Sequence, residues 1–249
     1  MDCIDAFISA RTLRNIIAIK ADICYTLFDT NDLNERGDQV ANYTEEQWNV
    51  KKNELMEKCF SGFADLGLHG TGIRTLAKHC GYNTSMIYTY FMVLDDLIIQ
   101  SSEHCMSKVE DEFMAKAPTD VEDLGRFVDE IPYWTANKLG KKYRLMYQVY
   151  THPKYREYGK VFFEGVDKRY TEYAKNFEGK LGIPYEKLTP LIFIFVRACV
   201  HYALFEDEFY LKSQIDVLKE SVELFIFKYN PKSEQGLFIK EKMLSGGKI

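Results

Sequence analysis

The chain has 249 residues, of which 46% are hydrophobic and 28% are charged, and its formal net charge at pH 7 is −5. These values are typical of a soluble globular protein with a substantial core, and they exclude a protein that holds nucleic acid by bulk electrostatic attraction alone. The six cysteines are scattered without paired spacing, so we expect most of them to be small buried side chains in a reducing cytoplasm.

We expect a cytoplasmic protein without membrane contact. No signal peptide is predicted, because basic residues between positions 11 and 20 interrupt any apolar core there. The most apolar run, Leu191–Phe205, contains Arg197 and His201 and is too short to span a bilayer.

Residues 1–43 are predicted to form an N-terminal extension with one amphipathic helix, ending near Asp29, and a polar linker. The apolar face of this helix would consist of Leu13, Ile16, Ile17, Cys24 and Phe28. The helix would either dock on the body or stay partly mobile; alternatively, it would provide an added dimer or regulatory contact.

The next helix begins with a capping box, because Thr44 is followed three residues later by Gln47. Gly67 is predicted to end this helix. Its core face would consist of Leu55, Cys59, Phe63 and Leu66.

The stretch from Thr71 to Leu97 predicts two short helices separated by a tight turn and followed by the start of a third. Thr71 is predicted to cap the first helix, Gly81 to end it and Asn83 to cap the second. The first helix has one apolar stripe at helical spacing, formed by Ile73, Leu76, Ala77 and Cys80. In the second helix, the apolar positions are Ile87 and Phe91. This is the helix-turn-helix plan, which offers its second helix to the DNA major groove.

This stretch resembles the DNA-binding segment of the tetracycline-repressor (TetR-like) family, whose pattern is roughly T-x-x-x-I-A-x-x-x-G-x-S-x-x-x-[LI]-Y-x-[YH]-F-x-x-K-[ED]-x-L. The matching positions are Leu76, Ala77, Gly81, Ile87, Tyr88, Tyr90, Phe91, Asp95 and Leu97, and Thr71 lies one residue before the threonine position of the pattern. Asn83 replaces the capping serine of the pattern. Leu94 replaces a lysine that commonly meets a DNA phosphate, so one expected phosphate contact is missing.

The resemblance implies a ligand-responsive transcriptional regulator, most simply a repressor, that binds a palindromic operator as a homodimer. The residues predicted to contact DNA are Thr71, Arg74, Lys78, Asn83, Thr84, Ser85, Met86, Tyr88, Thr89 and Tyr90. Residues 44–97 carry five basic and seven acidic side chains, so DNA binding would rely on a few placed cations, including Lys51 and Lys52, and on helix N-termini. The alternative is a TetR-fold protein with weakened or lost DNA binding that acts through ligand or protein contacts.

The predicted fold class is all-α, with an N-terminal three-helix helix-turn-helix DNA-binding domain (44–97) and a C-terminal helical ligand-binding and dimerisation domain (98–230). A helix from Leu94 to about Lys116 would link the two, burying Leu97, Ile98, Cys105, Val109 and Phe113. Further helices are predicted at 120–138, 141–151, 154–180, 187–208 and 210–228, with breaks at Gly140, Pro153 and 182–184. A loosely ordered tail would occupy 231–249.

Aromatic side chains at helical spacing recur in the second domain. Each ring is either part of the packed core or part of the lining of a pocket for a small apolar or aromatic ligand. The candidate ligand-binding residues are Trp134, Tyr143, Tyr147, Tyr150, Phe162, Tyr170, Arg197 and His201.

The last two predicted helices favour a homodimer. Residues 191–196 are apolar on every side, which requires cover from all directions, and packing against a second copy would give a four-helix bundle. The predicted interface residues are Phe193, Val196, Val200, Ile215, Leu218, Val222 and Phe225. The segment ALFEDEFYL is similar to the hinge between these helices in the TetR-like family.

No enzymatic activity is predicted, because the sequence contains no Gly-rich phosphate loop, no G-x-S-x-G and no HExxH. The pairs His79–Cys80 and His104–Cys105 are adjacent in sequence. Adjacent side chains on a helix diverge by about 100°, so neither pair can chelate a metal. No metal or cofactor is therefore predicted.

Overall fold

A computed structural model of the protein describes residues 43–245, and within this range every regular element is helical. In chain order the helices are α1 (Glu45–Leu66), α2 (Ile73–Cys80), α3 (Thr84–Tyr90), α4 (Leu94–Met114), α5 (Leu124–Tyr150), α6 (Arg156–Leu181), α7 (Tyr185–Phe205), α8 (Glu208–Tyr229) and α9 (Glu234–Leu244). The predicted all-α class is confirmed. The helix and linker predicted within residues 1–42 lie outside the described residues.

The start and the end of α1 follow the predicted signals. The backbone N–H of Thr44 donates to Oε1 of Gln47 over 2.9 Å, and the N–H of Gln47 donates to Oγ1 of Thr44 over 3.2 Å, which is a complete capping box. After α1, Gly67 adopts a left-handed backbone conformation with φ of +82°. Leu55, Cys59 and Phe63 are buried as predicted, whereas Leu66 is 41% exposed, because it lies at the very end of the helix beside exposed Asp65.

The predicted turn between α2 and α3 is confirmed. Gly81 adopts a left-handed conformation with φ of +74° after α2, and Oδ1 of Asn83 accepts a hydrogen bond from the Met86 N–H over 2.7 Å at the start of α3. The predicted cap at Thr71 is wrong. Gly72 is the residue before α2, and the Thr71 hydroxyl instead donates to the carbonyl of Gly67 over 2.6 Å, closing the turn after α1.

α4 buries all five predicted core residues, but the predicted break at Gly140 is wrong. α5 runs without interruption through Gly140, which is buried against α7. A Cβ atom at this position would lie 3.1 Å from the carbonyl oxygen of Ala203. Glycine is therefore used here for the close approach of two helices, not for a turn.

α6 ends as predicted at Gly182, which has φ of +67°. The predicted loosely ordered tail is wrong for residues 234–244, which form α9. Its N-terminus is capped by Ser233, whose Oγ accepts from the Gly236 N–H over 3.0 Å. Ile239 anchors α9 in a small apolar cluster that includes Phe177 and Ile226, so α9 closes the far end of α6 and α8.

α7 is longer than the apolar run from which it was predicted. It has 21 residues, and by length and composition alone the whole helix, unlike the shorter run Leu191–Phe205, could cross a membrane. Of its most apolar part, 44% is buried within the chain, where α7 packs against α5, α6 and α8. A main hydrophobic core extends from α1 to α8, with the smaller α9 cluster beside it.

Candidate functional site

α3 presents one polar face outward. Ile87 and Phe91 are 0% and 1% exposed, and they anchor this face to the core. Ser85 and Thr89 are exposed, and Tyr88 is 53% exposed. Thr84, Met86 and Tyr90 are partly exposed. The side chains predicted to read base edges therefore project from the surface or lie at its margin, as an element that enters a groove requires.

Local hydrogen bonds fix the polar groups of α3. Oδ1 of Asn83 accepts from the Ser85 hydroxyl over 2.8 Å as well as from the Met86 N–H. The Thr89 hydroxyl donates to the carbonyl of Ser85 over 3.0 Å. Both hydroxyl oxygens keep acceptor capacity towards solvent, so α3 offers an uncharged surface with fixed hydrogen-bonding groups.

Two cations beside α3 are not neutralised. Arg74 and Lys78 are exposed on α2, and within the described range neither makes an ion pair or a side-chain hydrogen bond. Lys51 pairs with Glu54 over 2.9 Å. Burial lowers the pKa of Lys52, an effect opposed by Asp96, so this lysine is a weaker candidate for a phosphate contact. Arg74 and Lys78 remain suited to phosphate contacts.

Thr71 does not share this surface. It is 6% exposed, and its hydroxyl is occupied by the carbonyl of Gly67. A buried side chain cannot reach a duplex, so the predicted DNA contact by Thr71 is wrong. Thr71 instead shapes the turn before α2.

An apolar patch lies at the start of α4, where Leu94 replaces the lysine of the TetR-like pattern. Tyr88, Met92 and Val93 are 53%, 54% and 50% exposed, and together with Leu94 they line a shallow groove next to Arg74. Exposed apolar groups do not attract phosphates. This patch is the main departure of the surface from that of a cation-rich DNA-binding module.

Polar contacts connect the helix-turn-helix segment with the C-terminal helices. Asp95, at the start of α4, accepts hydrogen bonds from Lys154 and from the Tyr155 hydroxyl, and these contacts, that of Lys154 first, lower the pKa of the carboxyl group. The N–H of Leu68 donates to Oε1 of Gln148 on α5 over 3.0 Å. These contacts link the start of α4 to the segment before α6, and the turn before α2 to α5.

A cavity of about 350 Å³ lies among α4, α5, α6, α7 and α8. Its lining is almost entirely apolar, and its aromatic members are Phe113, Phe127, Tyr170, Tyr173, Phe177 and Phe195. This volume is at the lower end of the range for sites that take drug-sized ligands. The cavity is thus the best-formed candidate ligand site of the described helices.

Of the eight predicted ligand residues, only Tyr170 lines this cavity. Together with Tyr143, Tyr147 and Arg197, it also lines a neighbouring space of about 40 Å³, where Arg197 donates to the Tyr147 hydroxyl over 2.7 Å. Four predicted residues line neither space: Trp134, Tyr150, Phe162 and His201. They serve other contacts, since Phe162 packs on the Tyr150 ring, His201 lies 3.6 Å from Asp207, and Lys116 lies over the Trp134 ring.

Glu110, a buried carboxyl group that lines the smaller space, was not predicted from the sequence. Its Oε1 accepts from the Tyr143 hydroxyl over 3.3 Å and its Oε2 from the Tyr170 hydroxyl over 2.8 Å. Burial raises the pKa of Glu110, although both tyrosines and Arg169 favour the charged form. Its position four residues after Met106 and three before Phe113, both buried, was the available signal of a buried acid.

The predicted dimer residues mostly face the interior of the chain. Val200 and Leu218 are 5% and 8% exposed. The other five, Phe193, Val196, Ile215, Val222 and Phe225, are partly buried against the core. The exposed large apolar side chains of α7 and α8 are instead Ile194, Phe205, Phe209, Tyr210, Val217 and Leu224. Phe205 and Phe209 flank the turn between the two helices, and the other four residues are here called the outer face of the helix pair.

Within residues 43–245, no group of three or more His, Cys, Asp or Glu side chains is placed to hold a metal ion. His79 lies 3.4 Å from Asp65, and His104 lies 3.2 Å from Glu57. Cys59, Cys105 and Cys199 are buried and free, and Cys80 is partly exposed and free. Cys3 and Cys24 lie outside the described residues.

No protein-family model matches the chain, and no curated protein matches it. Among solved structures, the chain is similar to a TetR transcription regulator from Haloarcula marismortui ATCC 43049, with a TM-score of 0.56 and 16% sequence identity. The similarity covers 71% of this chain and 98% of that chain. It agrees with the helix-turn-helix signature of residues 71–97 and with the all-helical body. The protein therefore has the TetR-like fold.

Proposed function

We propose that this protein is a DNA-binding transcription regulator that acts as a homodimer and responds to a small molecule, most simply as a repressor. The observation that carries the proposal is the outward face of α3, which is held by buried Ile87 and Phe91 and fixed at its start by Asn83. In a two-fold dimer, two such helices would enter successive major grooves of a palindromic operator.

The contacts with DNA divide into two kinds. Thr84, Ser85, Met86 and Thr89 would meet base edges, where the Met86 side chain suits a thymine methyl group. Arg74 and Lys78 would contact phosphates, supported by polar contacts from Tyr88 and Tyr90. Because few cations contribute, we expect affinity to depend on salt less steeply than for most regulators.

A Ser85→Asp variant tests the DNA-binding face. An acidic residue in the first turn favours the helix itself, so the fold should be kept while the added charge is repelled by DNA. Operator fragments would first be selected from the source genome by the wild-type protein. We expect Ser85→Asp to weaken binding in a gel shift by at least about tenfold, which corresponds to 1.4 kcal/mol.

The matched control for that experiment is Ser107→Asp, at an exposed position of α4 whose hydroxyl donates to the carbonyl of Glu103. It should bind DNA as the wild type does. Equal binding by wild type and Ser85→Asp would show that α3 is not the reading element.

The homodimer would form through the outer face of α7 and α8. On α8, Val217 is 54% exposed and lies seven residues after Tyr210 and seven residues before Leu224. Val217→Glu should turn the dimer into a monomer in light-scattering measurements, because a buried unpaired charge is costly. Val161→Glu is the matched control, since Val161 is 60% exposed on α6. A wild-type monomer, or a dimeric Val217→Glu variant, would contradict this interface.

The cavity supports a route for the response. Tyr170 lines it and donates a hydrogen bond to Glu110 on α4, and α4 begins at Leu94, next to α3. A ligand that displaces Tyr170 would shift α4 and change the separation of the two α3 helices. Such a ligand acts through its different affinity for the two arrangements.

A second function is favoured by the patch of Tyr88, Met92, Val93 and Leu94, which is apolar where a cation is expected. In that case a TetR-fold protein with weakened or lost DNA binding would act through ligand or protein contacts. Selection that yields no bound fragment even at low salt supports this second function, whereas binding that weakens with salt supports the first.

A further inference from the structure

The cavity of about 350 Å³ offers no unused hydrogen-bond donor in its interior. The Tyr170 hydroxyl donates to Glu110 over 2.8 Å, and the Tyr173 hydroxyl donates to the carbonyl of Pro118 over 2.7 Å. The remaining interior lining consists of aliphatic and phenyl side chains from α4 to α8. A ligand that enters therefore meets no free donor and no charge, and the only polar groups left to it are the acceptor lone pairs of the two tyrosine hydroxyls.

The charged groups of the lining are also paired, and they lie on α8. Lys219 is 3.0 Å from Asp129, and Glu223 is 3.0 Å from Lys242 on α9. The side chain of Lys219 is 51% exposed and that of Glu223 is 33% exposed, so both belong to the mouth of the cavity. Glu110 does not face the cavity as a free carboxylate, because both of its oxygens are occupied by tyrosine hydroxyls.

From the apolar lining and its paired polar groups we infer that the cavity binds an uncharged, hydrocarbon-rich molecule, of the size of a medium-chain alcohol or a small terpene. The inference rests on the proposed ligand response and names its ligand class. An ionised group moved into the interior would lose its hydration and find no opposite charge. A hydrocarbon ligand instead gains from leaving water for an apolar lining.

The class can be tested with three ligands that share one chain and differ in charge. The uncharged fluorescent probe N-phenylnaphthylamine is bound to the full-length protein and then displaced by dodecanol, dodecanoate or dodecyltrimethylammonium. Dodecanol is used below its solubility limit, and the two ions are used below their critical micelle concentrations. We expect dodecanol to displace the probe at a concentration at least about tenfold lower than either ion, a difference of 1.4 kcal/mol. If either ion displaces it as well as the alcohol does, the inference is wrong.

A matched pair of variants locates the site. Val128 lines the cavity, whereas Val161 is 60% exposed on α6 and does not line it. Val128→Trp should fill the space and weaken probe binding by at least about tenfold, whereas Val161→Trp should bind as the wild type does. Unchanged binding by a folded Val128→Trp protein, or no binding of the probe by the wild type, would overturn the assignment.

The DNA-binding proposal can fail independently of this one. DNA binding by the wild type and both tryptophan variants is measured without any ligand. Loss of DNA binding with intact displacement by dodecanol contradicts only the proposed DNA-binding function. Normal DNA binding with preference for an ion contradicts only the ligand class.

Discussion

The Tyr170 hydroxyl donates a hydrogen bond to Oε2 of Glu110 over 2.8 Å, and the two residues are 2% and 5% exposed. Tyr170 belongs to α6 and lines the cavity, whereas Glu110 belongs to α4, the helix that begins beside α3. This contact joins the wall of the cavity to the helix whose start lies beside α3. It also places a carboxyl group where ionisation is costly.

Two variants of Glu110 distinguish the effect of its charge on stability from the effect of its hydrogen bonds. Glu110→Gln can still satisfy both tyrosine hydroxyls, because these rotate to donate or to accept. Glu110→Ala leaves both without their partner, and we expect it to lower the free energy of unfolding by about 1–3 kcal/mol. Urea denaturation at pH 7 compares the variants, and an equal loss in both would show that the charge is required.

The raised pKa of Glu110 also predicts a dependence on pH. Because the unfolded chain releases this proton near the ordinary value of 4.5 and the folded chain releases it at higher pH, the contribution of Glu110 to stability falls as pH rises above that value. Glu110→Gln should remove this part of the decline. Denaturation midpoints between pH 5 and 7 provide the measurement, with the wild type in the same buffers as reference. An unchanged pH profile would contradict the prediction.

Gly140 and Gly165 form a matched pair for the packing of α5 on α7. A Cβ at Gly140 would lie 3.1 Å from a backbone oxygen, whereas nothing lies within 4 Å of a Cβ at Gly165. Gly140→Ala should lower the free energy of unfolding by about 1–2 kcal/mol through overpacking. Gly165→Ala should raise it by about 0.5–1 kcal/mol, because alanine favours the helix. Thermal denaturation distinguishes the two, and equal shifts would contradict the packing argument.

Local signals explain what the sequence analysis could predict. The caps at Thr44 and Asn83 and the left-handed glycines 67, 81 and 182 depend on residues within one turn, so their positions were predicted correctly. The helix break predicted at Gly140 was wrong, because in the sequence a glycine that permits close helix packing cannot be distinguished from one that ends a helix. α9 was missed although Ser233 is a good cap.

Of the two candidate sites, only the one formed by neighbouring residues could be located from the sequence. The face of α3 is formed by seven consecutive residues, so one motif was sufficient to find it. The cavity is assembled from helices far apart in the sequence, and an aromatic side chain at helical spacing looks the same whether it packs in a core or lines a space. For this reason Tyr170 was found and Phe195 was not.

Tyr155→Phe tests the contact between the start of α4 and the segment before α6. It removes the hydroxyl that donates to Asp95 and keeps the ring, so we expect a loss of about 0.5–1.5 kcal/mol in unfolding free energy at pH 7. Because the pKa of Asp95 is lowered, the benefit of its charge is present above the ordinary value of 3.8 and disappears as pH falls through and below it. The loss of unfolding free energy caused by Tyr155→Phe should therefore be smaller at pH 3 than at pH 7.

The control for Tyr155→Phe is Tyr158→Phe, since the Tyr158 hydroxyl makes no hydrogen bond within the described residues. This variant should unfold as the wild type does at both pH values. Equal losses in the two variants would mean that the Tyr155 hydroxyl contributes nothing specific.

Leu94→Lys restores the cation of the TetR-like pattern at the start of α4. Leu94 is partly exposed, so the lysine stem can cover the apolar groove while its ammonium group reaches solvent. If α3 enters the major groove, one added phosphate contact per subunit should tighten binding at low salt and steepen the slope of log K against log salt by about 0.9 per subunit. Fluorescence anisotropy at several salt concentrations measures both, with Val161→Lys on α6 as the control for net charge. A Leu94→Lys variant that behaves like this control would mean that the start of α4 does not face DNA.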